Sequence, residues 1–287
     1  MPAISFLLLL FLFAGCVSYS HNSDNRTNYS GPQNGPAVVE PTDTFSGSSG
    51  EGVETWLATI SVNEDDQIVT AMSEKTDPTS TENEKSHATI QFQGSFPIKV
   101  QHTKDSATGG DVYQLVYSGE DYPYPVTGSY QSIDHIDYTN GETGVHRMAF
   151  QHQEIDKQGS ISTTNFDMGF YSDYQMVQVD TSFPITSKNT EVFSEPEYNL
   201  QETTADTYSP WYQCHSTTSD TDDFTSGTHD FHRDGAKYVI NCQATIVQKY
   251  TDDEDNHYDP SSQSTRDITL KVTLDPSYVP LQTLNPV

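Results

Sequence analysis

The chain has 287 residues and a formal net charge of −28 at pH 7, because 41 Asp and Glu face only 13 Lys and Arg. This charge argues against nucleic acid as a partner, since no basic face could follow a phosphate backbone. It also repels anionic lipid, so membrane attachment has to come from another source. With 17 tyrosines and an apolar content of only 33%, the composition favours half-buried β-sheet over disorder or helix packing.

An apolar run begins the chain, from Ile4 to about Val17, and it contains Phe13-Ala14-Gly15-Cys16. As a helix it would reach only about 20 Å, short of the ~30 Å hydrocarbon core of a bilayer, which is typical of a signal-peptide apolar region. The four residues resemble the lipobox of bacterial lipoproteins, in which small residues precede a cysteine. The resemblance implies that residues 1–15 form a cleaved signal peptide. Cys16 would then begin the mature chain with a diacylglyceryl thioether and an acylated (palmitate-type) amine.

The lipobox resemblance also implies a location. Several acyl chains on one residue hold a protein firmly on a membrane, whereas one chain binds only marginally. Val17 and Ser18 follow Cys16 and no aspartate does, which in enterobacterial lipoproteins implies the outer membrane, facing the periplasm or the exterior. No Lys or Arg precedes the apolar run, although signal peptides normally carry positive charge there. A secretory signal cut a few residues later and an uncleaved anchor are therefore the alternatives.

The rest of the chain divides into a tether and a β domain. Residues 16–52 are rich in Ser, Asn, Gly and Pro, so after the lipidated Cys16 they predict a flexible, disordered linker that buries too little surface to offset ordering entropy. Residues 53–287 predict an all-β domain, an antiparallel meander forming a β-sandwich or barrel. A break near 190–205 would make two β units. Period-two alternation predicts strands at 53–62, 67–73, 87–94, 98–103, 111–118, 131–138, 143–155, 160–170, 174–180, 208–216, 237–250 and 265–274.

One hairpin suggests a metal site. Asn140-Gly141 between two alternating runs predicts a two-residue type I′ turn. In that register His135 faces His146, at a Cβ separation of about 4.5–5.5 Å. Two such imidazoles can share a metal ion, with Asp137 as a diagonal third ligand. A solvent-facing histidine pair is the alternative, and no fourth ligand is evident. The covalent lipid is therefore the only cofactor we predict, with a metal ion or calcium as an option.

The number of cysteines agrees with the prediction that Cys16 is lipidated. If Cys16 carries lipid, Cys214 and Cys242 are left as one pair, and an exported protein is expected to join them in a disulfide. The closed loop would contribute roughly 3–4 kcal/mol in the chain-entropy model. Two free buried thiols are the alternative.

Other candidate ligands for metals lie in polar segments. These are the His229–His232 segment and the acidic segments 220–223 and 252–255. Hard cations take six to eight oxygens, but neither acidic segment matches the EF-hand pattern. We predict solvated loops at all three places.

The functional prediction is a lipid-anchored bacterial cell-envelope protein with a non-catalytic binding domain. No G-x-S-x-G, H-E-x-x-H, P-loop or dinucleotide motif occurs, so the sequence leans away from an enzyme without excluding one. The partners are the membrane, through acyl chains, and an unknown protein, glycan or small molecule, with Tyr122, Tyr124 and Tyr171 as candidate exposed contacts. A metal- or calcium-dependent envelope enzyme or sensor and a purely structural lipoprotein are the alternatives.

Overall fold

The structure is a computed structural model that describes residues 52–116, 123–139, 149–195, 198–216, 224 and 227–279. These residues form thirteen β-strands in one antiparallel sheet and contain no helix, which confirms the predicted all-β class. Within the same ranges no helix is long and apolar enough to cross a membrane. The strands are β1 (Val53–Glu74), β2 (Thr81–Lys104), β3 (Asp111–Leu115), β4 (Tyr124–Thr139), β5 (Ala149–Tyr171), β6 (Val177–Ser182), β7 (Ile185–Glu195), β8 (Tyr198–Tyr208), β9 (Trp211–His215), β10 (Thr228–Asp234), β11 (Lys237–Lys249), β12 (Asn256–Tyr258) and β13 (Gln263–Asp275).

Most of the sheet is a meander of long antiparallel hairpins. β3 and β4 both pair with β2, and β6 and β7 both pair with β5, so each couple occupies one position in the sheet. β9 and β8 continue this pattern as the partners of β6 and β7. On the other side of β1 lie β13, β11 and β10, which gives the order β10-β11-β13-β1-β2-β3-β5-β6-β9. The sheet curls into a closed barrel core, and a disulfide joins β9 to β11.

Strands are longer than predicted where polar residues occupy the inward-facing positions. β1 joins two predicted strands, since Glu64 and Asp66 are buried and keep the period of two between them. The sequence does not predict β7 and β8, because inward positions of β7 include Ser187 and Asn189 and hydropathy does not alternate there. The hairpin of these two strands occupies positions 185–208. The compact unit Phe45–Val287 includes this hairpin.

One half of the barrel interior is aromatic and aliphatic. β1 sends Trp56, Ile60 and Val62 inward together with Ala58, and each is at most 1% exposed. Trp56 stacks on Tyr238 of β11, with ring centroids 5.5 Å apart and an interplanar angle of 4°. Tyr113 and Phe170 surround the same ring. Burial stabilises this aromatic half, at about 1.5–3 kcal/mol for each large side chain.

The other half of the interior carries charge. Glu64 follows Val62 on the inward face of β1, and its side chain is 1% exposed. Arg266 of β13 donates from Nε to Glu64 Oε1 at 2.6 Å, and its Nε lies 3.9 Å from Asp66 Oδ1. The Tyr212 hydroxyl of β9 donates to the other oxygen of Glu64. Burial opposes ionisation of Glu64, but Arg266 and these hydrogen bonds outweigh it, so the Glu64 pKa is lowered. We call these four residues the charged half.

Candidate functional site

The predicted cysteine pair lies where the two ends of the sheet meet. Cys214 of β9 and Cys242 of β11 are joined by a disulfide, with their Cα atoms 6.4 Å apart. Both side chains are fully buried. Because β9 ends the sheet order on one side and β11 lies one strand from the other end, the bond links strands that no backbone ladder joins directly.

A histidine accompanies this disulfide. In the β10–β11 ladder His229 is paired with Cys242. One nitrogen of His229 and the two sulfur atoms all lie within 4.8 Å of one another. The loop predicted at His229–His232 is therefore wrong: these residues belong to β10, because the ladder with β11 satisfies their backbone groups. His232 Nδ1 lies 3.1 Å from Asp230 Oδ1 on the exposed side of the same strand.

The register predicted for the β4–β5 hairpin does not hold at His135. His135 is paired with Glu154 of β5 and Lys85 of β2, instead of with His146. β4 is paired with β2 on one side and β5 on the other, and these two ladders set its register in place of a short local turn. The ladder ends at Thr139 and Ala149. His146 and the Asn140-Gly141 turn lie outside the described residues, and Asp137 is placed opposite Asn83 of β2.

Two of the three tyrosines predicted as exposed contacts lie within the described residues. Tyr124 is only 4% exposed and stacks on Phe96, so its prediction as an exposed contact is wrong. The Tyr171 hydroxyl donates to Asp105 Oδ2 at 3.0 Å. Cys16, Tyr122 and residues 220–223 lie outside the described residues.

The acidic segment 252–255 is held by its own hydrogen bonds. Asp253 accepts from the backbone N–H groups of Asp255 and Asn256 at 2.9 and 2.7 Å. Asp252 Oδ2 lies 2.7 Å from His257 Nδ1. These bonds lower the pKa values of Asp252 and Asp253, with the His257 bond the main cause for Asp252 and the Asn256 backbone bond for Asp253. The carboxylates therefore fold the turn that leads into β12.

A polar surface that the sequence did not predict lies on the outer face of β5, β6 and β9. We call it the Trp211 patch; it consists of Trp211, Gln213, His215, Asp180 and Asp167. The register places Asp167 opposite Asp180, and Asp180 opposite Gln213. The Trp211 side chain is 40% exposed. Its neighbours on the strand at alternate positions are Gln213 and His215, so the indole lies beside hydrogen-bonding groups.

The two carboxyl groups of the Trp211 patch have opposite electrostatic environments. Asp180 Oδ1 lies 3.1 Å from His215 Nε2, and Gln178 Nε2 donates to Asp180 Oδ2 at 2.8 Å. Burial works against ionisation of Asp180, but these bonds outweigh it and lower the pKa. Burial, with the charge of Asp180 opposite, raises the pKa of Asp167 to about 6. The patch thus presents a fixed carboxylate beside a carboxyl group that titrates near neutral pH.

Alternation could have shown part of this surface. Trp211, Gln213 and His215 occupy every second position of a predicted strand, opposite to Tyr212 and Cys214. Nothing in the sequence indicates that β9 lies beside β6, or β6 beside β5 at this register. The patch therefore depends on three strands whose pairing only the structure provides.

Comparisons with known proteins give little further guidance. No family model matches the chain, and no curated protein matches it. The secretin InvG of the Salmonella SPI-1 type III secretion injectisome is similar at 12% identity, covering 81% of this chain and 66% of that one with a TM-score of 0.17. A chain from an atomic model of InvG, PrgH and PrgK gives the same identity and TM-score, with 47% of it covered. At that TM-score neither similarity supports an argument about fold or function.

Proposed function

We propose that this protein is a lipid-anchored component of the bacterial cell envelope, attached through Cys16, whose β domain binds a ligand without catalysis. The observation that carries the proposal is the Cys214–Cys242 disulfide. Disulfides persist in exported proteins and are rare in the cytosol. The bond also uses both cysteines of the β domain, which leaves Cys16 as the third cysteine of the chain for lipid.

The charge of the protein supports attachment by acyl chains. Residues 1–15 contain no ionisable side chain, so cleavage before Cys16 leaves the mature protein with the whole net charge of −28. Such a protein is repelled by anionic lipid headgroups. Several acyl chains on one residue would overcome this repulsion, because each buried methylene contributes about 0.8 kcal/mol. The linker up to residue 52 would then hold the β domain away from the bilayer.

The Trp211 patch is the surface best suited to the ligand. An indole offers a flat apolar face and an N–H donor, and the neighbouring carboxylate, amide and imidazole groups supply fixed acceptors and donors. This combination matches the apolar ring faces and hydroxyl groups of a sugar. Since the protein is strongly acidic, we propose a neutral or amino-bearing envelope glycan in preference to an anionic one.

The anchor is tested by expressing the full chain in a bacterial host that lipidates proteins. We expect mass spectrometry to find an N-terminal peptide that begins at Cys16 and carries a diacylglyceryl group and an amide-linked acyl chain. The Cys16→Ser variant should leave the membrane fraction. An unmodified mature chain that begins downstream of Val17 would contradict the proposal, and so would a Cys16→Ser variant that remains in the membrane.

The ligand surface is tested with the fluorescence of the two tryptophans. Trp56 is 1% exposed and Trp211 is 40% exposed. A ligand that binds at the patch should therefore change the fluorescence emission of Trp211 and leave that of Trp56 unchanged. We expect neutral or amino-bearing oligosaccharides to shift the Trp211 emission of the wild type. Because Trp211→Ala removes this reporter, its binding is measured by isothermal titration calorimetry, and we expect it to be lost. Val247→Ala is the matched control, because Val247 is an exposed apolar residue of β11. Equal binding by both variants would contradict the assignment of the surface.

The second candidate function is hydrolysis of the same oligosaccharides. The lowered pKa of Asp180 and raised pKa of Asp167 are the split that acid–base pairs of hydrolases show. Release of new reducing ends from the oligosaccharide, abolished by Asp167→Asn, would favour an envelope enzyme over a binding protein. Binding without turnover is the outcome that the first proposal expects.

A further inference from the structure

The disulfide and its neighbouring histidine form a set of three soft or borderline metal ligands. The two sulfur atoms and one nitrogen of His229 lie within 4.8 Å of one another. They come from both ends of the sheet: Cys214 from β9, His229 from the other terminal strand, β10, and Cys242 from β11 beside it. The β10–β11 ladder fixes His229 directly opposite Cys242.

We propose that reduction of the Cys214–Cys242 disulfide turns this cluster into a binding site for one thiophilic metal ion, Zn²⁺ or Cu⁺. A dithiol reductant supplies two electrons and two protons, the sulfur–sulfur bond breaks, and the reductant becomes its own disulfide. Metal binding then releases the two thiol protons to solvent. The ion is held by two thiolates and a neutral imidazole, which is a ligand set typical of zinc.

The geometry is close to what such an ion requires. Zinc binds sulfur at about 2.3 Å and imidazole nitrogen at about 2.0–2.1 Å in a tetrahedral arrangement, so its ligand atoms lie roughly 3.5–3.8 Å apart. The His229 nitrogen is already within 4.8 Å of both sulfurs, so a shift of at most about 1.3 Å brings it to that spacing. The sulfurs have to separate, and Cys214 lies on β9, which has a ladder neighbour only in β6 among the described strands. Three protein ligands leave the fourth position for water or another donor.

This site would keep the barrel closed in both redox states. In the oxidised protein the disulfide joins β9 to β11, and in the reduced protein the metal ion would connect the same strands and β10. Both cysteines are fully buried, so two uncoordinated thiols would leave that connection to packing alone. The inference concerns the β domain and holds whether or not Cys16 carries lipid.

The test uses the full chain with Cys16→Ser, so that Cys214 and Cys242 are its only cysteines. The protein is reduced with a dithiol, freed of reductant under anaerobic conditions and titrated with Co²⁺, which reports thiolate ligands by a charge-transfer band in the near ultraviolet. We expect one Co²⁺ bound with that band, its displacement by one Zn²⁺, and no band in the oxidised protein. A reduced protein that binds Co²⁺ without the band, or does not bind it, overturns the proposal.

Histidine variants test the third ligand. Loss of a partner in the outer shell of a metal site already weakens binding by about 10–100-fold, so we expect His229→Ala to weaken Zn²⁺ binding at least about 100-fold. His232→Ala is the matched control, because His232 is exposed on the same strand. Equal affinities of the two variants would overturn the role of His229. Far-ultraviolet circular dichroism follows the fold throughout, and a β signal that is lost on reduction and not restored by Zn²⁺ also overturns the proposal.

Discussion

The two halves of the barrel interior lie on the same strand but are stabilised differently. In the aromatic half, Trp56 and Ile60 of β1 pack among rings and aliphatic side chains. In the charged half, Glu64 lies four residues further along the same inward face and is bonded to Arg266 and Tyr212. Glu64 is as deeply buried as the aromatic side chains, whereas Arg266 keeps 24% of its side chain exposed. Burial in the first half is favourable by itself, whereas in the second half it is tolerated only because each charge has partners.

This difference means that the halves should respond differently to substitution. An apolar interior loses stability in proportion to the atoms that are removed. A buried ion pair that loses one partner leaves an uncompensated charge, and this costs more than the pair itself contributes.

The largest effect is expected at Arg266. Arg266→Leu removes the guanidinium that faces the buried carboxylates of Glu64 and Asp66, so the free energy of unfolding at pH 7 should fall by about 3–5 kcal/mol. Denaturant unfolding measures this loss. The double variant Glu64→Gln, Arg266→Leu is the control and should recover part of it. If the single variant lost less than the double variant, the two side chains would not act as a pair.

The second-largest effect is expected from acid, which should reduce the contribution of the charged half to the free energy of unfolding. The folded pKa of Glu64 is lowered below its ordinary value of 4.5, so the folded state binds fewer protons than the unfolded chain. Its contribution to stability is therefore complete above pH 4.5 and is lost as the pH falls through the folded pKa.

The check for this acid effect is a comparison of thermal melting for the wild type and Glu64→Gln across the acid range. Glu64→Gln should be the less stable protein at pH 7, and the gap should narrow as the pH falls. A gap that stays constant between pH 7 and the acid limit would show that Glu64 ionisation does not contribute.

A smaller effect is expected in the aromatic half. Ile60→Val removes one methylene from a fully buried side chain of β1, and it should lower the free energy of unfolding by about 0.5–1.5 kcal/mol. The same denaturant experiment measures it, and the effect should not depend on pH. If Ile60→Val cost as much as Arg266→Leu, the contrast between the two halves would fail.

The Trp211 patch extends the comparison to partly exposed carboxyl groups, where the effects should be smallest. Asp180 is paired and its pKa is lowered, so Asp180→Asn should destabilise the protein near neutral pH. Asp167 has its pKa raised from 3.8 to about 6, so the folded state binds more protons than the unfolded chain between these values. Its contribution is complete below pH 3.8 and is lost as the pH rises through about 6.

Asp167→Asn should therefore raise the melting temperature relative to the wild type above pH 6 and have little effect in acid. Melting curves of the two asparagine variants from acid to neutral pH check both signs. A destabilised Asp167→Asn variant at neutral pH would show that the Asp167 carboxylate has a favourable partner in the folded state.

The predictions from the sequence succeeded for strands in which apolar, inward-facing residues alternate with polar, outward-facing ones. Trp56, Ala58, Ile60 and Val62 stand at every second position, so the first part of β1 could be predicted. β7 could not, because Ser187 and Asn189 take inward positions and hide the period. The predicted register of β4 was wrong for another reason: it was taken from a local turn preference, whereas the ladders with β2 and β5 decide it.

The pattern of the sequence alone determined the β class, the positions of many of the strands and the two cysteines available to pair. These are local properties, because side chains alternate between two faces whatever strand lies beside them. The tertiary structure decided which distant residues meet, including Glu64 with Arg266, 202 positions away, and Cys214 and Cys242 with His229. Alternation does not specify a partner, so these sites depend on strand order, register and closure of the barrel, which burial over the whole sheet selects.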